Sequence, residues 1–299
     1  MSLYRTLGPG GVEMMHFYKF QASGNDFLVV EEAHIPTDVS LDLLAERMCD
    51  RRYGAGADGL LVLRMAQPTD ESDVQMRVFN PDGSEAEISG NGIRCAAAYV
   101  YHLGRWTEPE VRIATKAGVK RLRHLGERGK TRYFEVEMGR PRLASDEIPM
   151  TLEPPLPRVV KHPLRVGEEV FYITACSMGN PHCSLLMRDL DRIDFTDVGA
   201  RIENHAIFPE RTNVEFVKVL GRKRLMVLFW ERGVGETLSS GSGACAATVA
   251  AVLNGRVDRQ VKVLTRAGEL SVHWRDDGVV VLVGPVELIY RGEWLTDIS

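Results

Sequence analysis

A short phrase occurs twice in this chain, once in each half. The first copy is Glu85-Ala86-Glu87-Ile88-Ser89-Gly90-Asn91-Gly92, running into Ile93-Arg94-Cys95 and an alanine run. The second is Glu236-Thr237-Leu238-Ser239-Ser240-Gly241-Ser242-Gly243, running into Ala244-Cys245 and another alanine run. Both read Glu, three residues, then Ser-Gly-x-Gly opening a helix of small residues. Two copies are too few for a solenoid, so the repeat predicts two related lobes. Two such elements, Ser89 facing Ser240, would address the two faces of one small ligand.

Ser-Gly-x-Gly at a helix start exposes backbone N–H groups that have no partner within the helix. Glycine removes the Cβ that would hold a ligand away, and the helix N-terminus favours a carboxylate or a phosphate. The alternative is structural: Ser89 and Ser240 are N-caps and the glycines permit close packing. Duplication favours the ligand reading.

At 299 residues the chain has room for two domains, and 44% hydrophobic with 26% charged residues is the make-up of a soluble globular protein. A net charge of −4 leaves no basic footprint for nucleic acid. No apolar stretch approaches transmembrane length, so no membrane partner is expected. The five cysteines, Cys49, Cys95, Cys176, Cys183 and Cys245, lack disulfide-framework or zinc-site spacing. They fit a reducing cytoplasm, with no metal. Residues 1–14 read as a flexible extension without signal-peptide layout.

Short β-type runs dominate: 16–21, 27–31, 60–63, 74–79, 111–114 and 133–137 in the first half. Runs 169–175, 182–186, 213–219, 224–230, 261–264, 269–273, 279–283 and 287–290 follow in the second. Helical periodicity marks 41–49 behind Ser40 as N-cap, and 200–204. The two small-residue helices are predicted over 92–103 and 242–253, buried on all sides. Prolines cluster from Pro141 to Pro157 and mark a boundary region. Gly54-Ala55-Gly56-Ala57-Asp58-Gly59 spells a dinucleotide fingerprint, but a helix precedes it and a strand follows. That order is wrong for the fingerprint, so the segment reads as a loop.

Polar turns supply further candidates: Asn25 after the first strand, Asn80 in Phe79-Asn80-Pro81-Asp82-Gly83, Asn180 and His182 in Met178-Gly179-Asn180-Pro181-His182, and Asn213. Each asparagine alone is an ordinary turn former. Together they would make a neutral hydrogen-bonding wall suited to a zwitterion. Arg232, beside Glu231, suits bidentate pairing with a carboxylate or a surface ion pair.

These segments, in this order, resemble the diaminopimelate epimerase family from about Met15 to the C-terminus. The matching motifs include Gly24-Asn25-Asp26-Phe27, Gly56-Ala57-Asp58-Gly59, Gly90-Asn91-Gly92-x-Arg94-Cys95, Met178-Gly179-Asn180-Pro181-His182, Glu231-Arg232-Gly233 and Gly241-Ser242-Gly243-Ala244-Cys245. The resemblance implies an α+β fold of two pseudo-symmetric lobes, each a mostly antiparallel sheet wrapped around a central helix. The lobes are expected over 15–137 with a returning strand at 285–299, and over 138–284. It implies epimerisation of LL-diaminopimelate to the meso form in bacterial lysine and peptidoglycan-precursor synthesis. No cofactor is expected, and a homodimer is. Asn25, Asn80, Asn180, Asn213, Glu231 and Arg232 are implied to bind substrate. The N–H groups around Gly90-Asn91 and Gly241-Ser242 are implied to hold its α-carboxylate.

One departure stands out. The resemblance implies a catalytic thiol immediately before each Gly-x-Gly, one removing the α-proton and the other delivering a proton from the opposite face. Those positions are Ser89 and Ser240. Cys95 and Cys245 lie further along the helices and read as small core residues. A helix N-terminus can turn a thiol into a thiolate, but a hydroxyl is far less acidic. Three readings are compatible: an engineered double substitution; a slower natural enzyme, or one with a related amino-acid substrate, assisted by His182 or Glu231; and an amino-acid-binding relative without catalysis.

Overall fold

The computed structural model describes residues 14–67 and 69–295. The expected extension over 1–14 lies outside the described residues, apart from Met14. The chain forms two units: one runs to Val136 and resumes from Pro285, the other spans Glu137–Gly284.

The first unit carries β1 (Met15–Ala22), β2 (Asn25–Glu31), α1 (Leu41–Cys49), β3 (Gly59–Met65), β4 (Val74–Phe79) and β5 (Glu85–Ala86). Helix α2 (Gly90–His102), β6 (Glu110–Thr115), β7 (Gly118–Arg128) and most of β8 (Thr131–Gly139) complete it. The second carries β9 (Val159–Val166), β10 (Glu169–Ser177), β11 (Pro181–Met187), α3 (Phe195–Glu203), β12 (Asn213–Gly221) and β13 (Arg224–Glu231). It continues with β14 (Gly235–Thr237), α4 (Gly241–Leu253), β15 (Gln260–Thr265), β16 (Gly268–Trp274) and the start of β17 (Val280–Trp294).

Pairing repeats between the units. In the first, β1–β2 is antiparallel, β2–β3 parallel, β3–β4 and β4–β5 antiparallel, and β4–β6 parallel. In the second, β10–β11 is antiparallel, β11–β12 parallel, β12–β13 and β13–β14 antiparallel, and β13–β15 parallel. Each parallel pair requires a crossover. α1 and α3 occupy the first crossover of each unit, α2 and α4 the second. The fold is thus α+β, two repeats of a mostly antiparallel sheet with a central helix.

Composition explains why those helices are central. From Ala244 to Ala251 every residue of α4 is buried, as is every residue of α2 from Asn91 to Val100. Small side chains let the surrounding strands approach all sides of the helix axis. An amphipathic helix such as α1, which buries only Leu44, Ala45, Met48 and Cys49, sits outside.

Two expectations are corrected. The runs 279–283 and 287–290 are one strand, β17. Pro285, which has no N–H to donate, stands between the stretch paired with β16 through Val283 and the stretch paired with β1 from Glu287. Ser40 precedes α1 but does not cap it with its side chain; the hydroxyl bonds the Asp42 carboxylate instead. β7 carried no alternating apolar pattern strong enough to read, because most of its residues face solvent, and β9 is interrupted by Lys161, His162 and Pro163 between its apolar ends. The proline-rich stretch lies within the second unit, where Arg142 bridges to Ser177.

Candidate active site

Each repeated phrase folds into a capped helix start. Ser89 has extended backbone, and its Oγ accepts from Gly92 N at 3.0 Å. Ser240 has nearly the same backbone, and its Oγ accepts from Gly243 N at 3.3 Å. The next N–H of each helix goes to the capping serine's carbonyl. The N–H groups of Gly90, Asn91, Gly241 and Ser242 find no protein acceptor among the described residues. Capping and ligand binding therefore do not compete, since the serine takes one N–H and leaves two for an anion.

The serines differ in their acceptors. Ser240 Oγ donates to Glu231 Oε2 at 3.0 Å, while Thr237 Oγ1 donates to Glu231 Oε1 at 2.7 Å. Burial pushes the Glu231 carboxyl above its ordinary value, against the pull of those two hydrogen bonds. Ser89 has no carboxylate acceptor among the described residues. A proton leaving Ser240 therefore has an adjacent carboxylate destination, and one leaving Ser89 has none among the described residues.

Behind the second helix start lies a buried polar row. His182 and Ser184 on β11 sit beside Asn213 and Glu215 of the parallel strand β12. Glu215 accepts from His182 Nδ1 at 2.6 Å and from Ser184 Oγ at 2.8 Å. His182 Nε2 lies 2.9 Å from Asn180 Oδ1. Both ring nitrogens of His182 are thus engaged, and neither bonds a serine of the repeat. Asn213 donates to Pro181 O at 2.8 Å and accepts from Arg232 N at 3.0 Å, which ties the Asn180, Asn213 and Arg232 loops together. Arg232 Nη1 rests on Glu210 O at 2.9 Å, and no carboxylate pairs with it among the described residues.

In the first unit Asn25 and Asn91 join: Asn91 Nδ2 donates to Asn25 Oδ1 at 3.3 Å. Asn80 stands apart, closing its own exposed turn by donating to Ser84 Oγ at 2.9 Å. Sequence reasoning did not single out Asp58, Arg94, Thr237 or Glu215 as site residues. Glu215 had a readable signal, a lone carboxylate inside an apolar strand run, because such a group is kept only with partners.

Two glycines give a contrast. A Cβ on Gly243 would lie 2.8 Å from the Phe229 ring, whereas a Cβ on Gly90 meets nothing within 4 Å. Gly243→Ala is expected to cost about 1–3 kcal/mol by overpacking. Gly90→Ala should leave the melting temperature level or slightly raised while weakening ligand binding. Equal melting temperatures for the two variants would contradict this packing account.

All five cysteines are buried free thiols. Burial pushes the Cys95 thiol up to about 12, and Cys176 and Cys183 are raised as well. Cys95 and Cys245 are fully buried among the helix alanines, so they do not replace the missing thiols.

A family model described as Diaminopimelate epimerase matches residues 17–144 and 174–289. The diaminopimelate epimerase of Pelotomaculum thermopropionicum is 48% identical over 94% of this chain and 99% of its own. That of Moorella thermoacetica is 43% identical over 95% of this chain and 100% of its own. Among solved structures, a hydroxyproline epimerase from Agrobacterium vitis with bound trans-4-hydroxy-L-proline superposes with a TM-score of 0.67 at 14% identity, covering 95% of this chain and 93% of that one. A PhzF-family phenazine biosynthesis protein from Bacillus anthracis gives 0.66 at 14% identity, covering 95% and 99%. These two show the fold alone.

Proposed function

The chain belongs to the diaminopimelate epimerase family, and from that premise we propose that it epimerises LL-diaminopimelate to the meso form. The observation that carries this reading is near full-length identity to relatives of that name. The two helix starts fit it, each with uncommitted N–H groups suited to a carboxylate. In this reading each helix start holds the α-carboxylate and contributes one proton-transfer position, Ser89 or Ser240. The reaction uses acid–base groups of the chain and no cofactor. It belongs to lysine and peptidoglycan-precursor synthesis in the bacterial cytoplasm. No helix among the described residues is long and apolar enough to cross a membrane.

Serine in both positions predicts slow turnover, because a hydroxyl supplies little base near neutral pH. A second reading, amino-acid binding without turnover, is favoured by the lack of a carboxylate acceptor for Ser89 among the described residues. Exchange of the substrate α-proton with deuterated water separates the two. Measurable exchange of diaminopimelate supports catalysis, and binding with no exchange supports the second reading.

Arg232 provides a binding test that does not depend on turnover. Its guanidinium is uncommitted to any carboxylate among the described residues and donates to Glu210 O, while its backbone N–H donates to Asn213 Oδ1. Arg232→Ala is expected to weaken diaminopimelate binding by about 1.5–3 kcal/mol, the scale of a charge-assisted hydrogen bond. Unchanged affinity by calorimetry would remove Arg232 from the site.

A further inference from the structure

We infer that Asp58 and Arg94 are positioning residues that lock the direction of the Asn25 and Asn91 amides, so that the first helix start selects a carboxylate over a neutral amide. This rests on reading that helix start as substrate-binding. Arg94 is fully buried on α2. Its Nη2 donates to Asn91 Oδ1 at 2.7 Å, and its Nη1 to Gly90 O at 3.1 Å. Asn91 Nδ2 donates to Asn25 Oδ1 at 3.3 Å. Asn25 Nδ2 donates to Asp58 Oδ2 at 2.8 Å. Asp58 is held in turn by Asp26 N at 3.1 Å and by Arg51 Nη2 at 2.7 Å. Four side chains thus form one directed row, guanidinium to amide to amide to carboxylate.

The two ends decide the middle. A guanidinium only donates and an ionised carboxylate only accepts, whereas an amide can present either edge. Between these ends, one arrangement alone pairs every donor with an acceptor. Turning Asn91 would set Nδ2 against Arg94 and oxygen against oxygen at Asn25. Turning Asn25 would set its oxygen against Asp58. Turning both would leave a mismatch at each end. With the row locked, each amide nitrogen retains a second N–H, adding to the free backbone N–H groups of Gly90 and Asn91. A carboxylate oxygen suits those donors. A carboxamide also brings an NH2 group that needs an acceptor, and a locked row cannot turn to offer one.

Asp58 is the better place to test this, because its side chain is 39% exposed and its replacement leaves the core intact. Calorimetry would compare diaminopimelate with its mono-carboxamide on the parent chain, Asp58→Asn and Arg94→Lys. Asp58→Asn removes the acceptor-only end and should cut the preference for the carboxylate ligand about tenfold, the effect of one hydrogen bond to a charged group. Arg94→Lys keeps a donor-only end and should retain the preference. A simple loss of local structure would weaken both ligands alike. An unchanged ratio in Asp58→Asn would overturn the proposal. A second readout needs no substrate: in protein labelled with 15N-asparagine, Asp58→Asn should shift the side-chain signals of Asn25 and, through it, Asn91. If Asn91 does not respond, the row does not exist and the proposal fails. If the signals move together but diaminopimelate does not bind the parent chain, the locked row stands and the substrate reading falls.

Discussion

Ser89→Cys combined with Ser240→Cys should raise epimerisation of diaminopimelate by about 10²–10⁴-fold over the parent chain, the usual contribution of positioned acid–base groups. A thiol has an ordinary pKa near 8.5 and is lowered further at a helix N-terminus. Both positions stand at helix N-termini, beside uncommitted N–H groups. The single variants should not be equivalent. Ser240 already has Glu231 to receive its proton, and Ser89 has no carboxylate among the described residues. Ser89→Cys alone should therefore recover more activity than Ser240→Cys alone. Stereochemical inversion followed by deuterium exchange would read this. A parent chain turning over at the rate of the double variant, or a reversed order of the singles, would refute the account.

Glu231→Gln should lower α-proton exchange by a comparable factor, about 10²–10⁴-fold, because an amide cannot take a proton from Ser240. The same substitution carries a stability signature of its own. Burial raises the Glu231 carboxyl above its ordinary value of 4.5, so folding favours the neutral acid. That contribution is fully present below the unfolded value and is lost as pH rises through the folded one. Thermal unfolding should accordingly show the parent losing stability relative to Glu231→Gln as pH climbs from about 4.5 toward neutrality. Parallel melting curves across that range would mean that the carboxylate is solvated and not held as described.

Much of the fold was legible in the sequence. The limits of α1 follow from its apolar spacing, and the small-residue helices from their alanine runs. The Gly54–Gly59 segment follows α1 and leads into β3, the helix-then-strand order read from the sequence. What escaped reading was solvent-facing sheet. β7 exposes most of its length, so the alternation that marks a half-buried strand is weak there. Gly284-Pro285 reads as a break when judged locally. It is a change of partner within one strand once the neighbours are known.

By itself, the sequence determined that this protein is a two-fold repeat with a capped, glycine-bearing helix start in each half and a hydroxyl where its family resemblance implies a thiol. Those are local facts, written in residue type and spacing. Only the tertiary structure decided which groups share a proton or a hydrogen bond. Ser184 meets Glu215 because a parallel register places them side by side across a crossover of some 25 intervening residues. Asn25 meets Asp58 because the turn after α1 returns against the start of β2. Glu231 is tuned by desolvation, which no single segment possesses until strands and helix close around it. The two serines are alike in sequence and unlike in chemistry for the same reason. Proton acceptors are supplied by packing, and packing placed a carboxylate beside only one of them among the described residues.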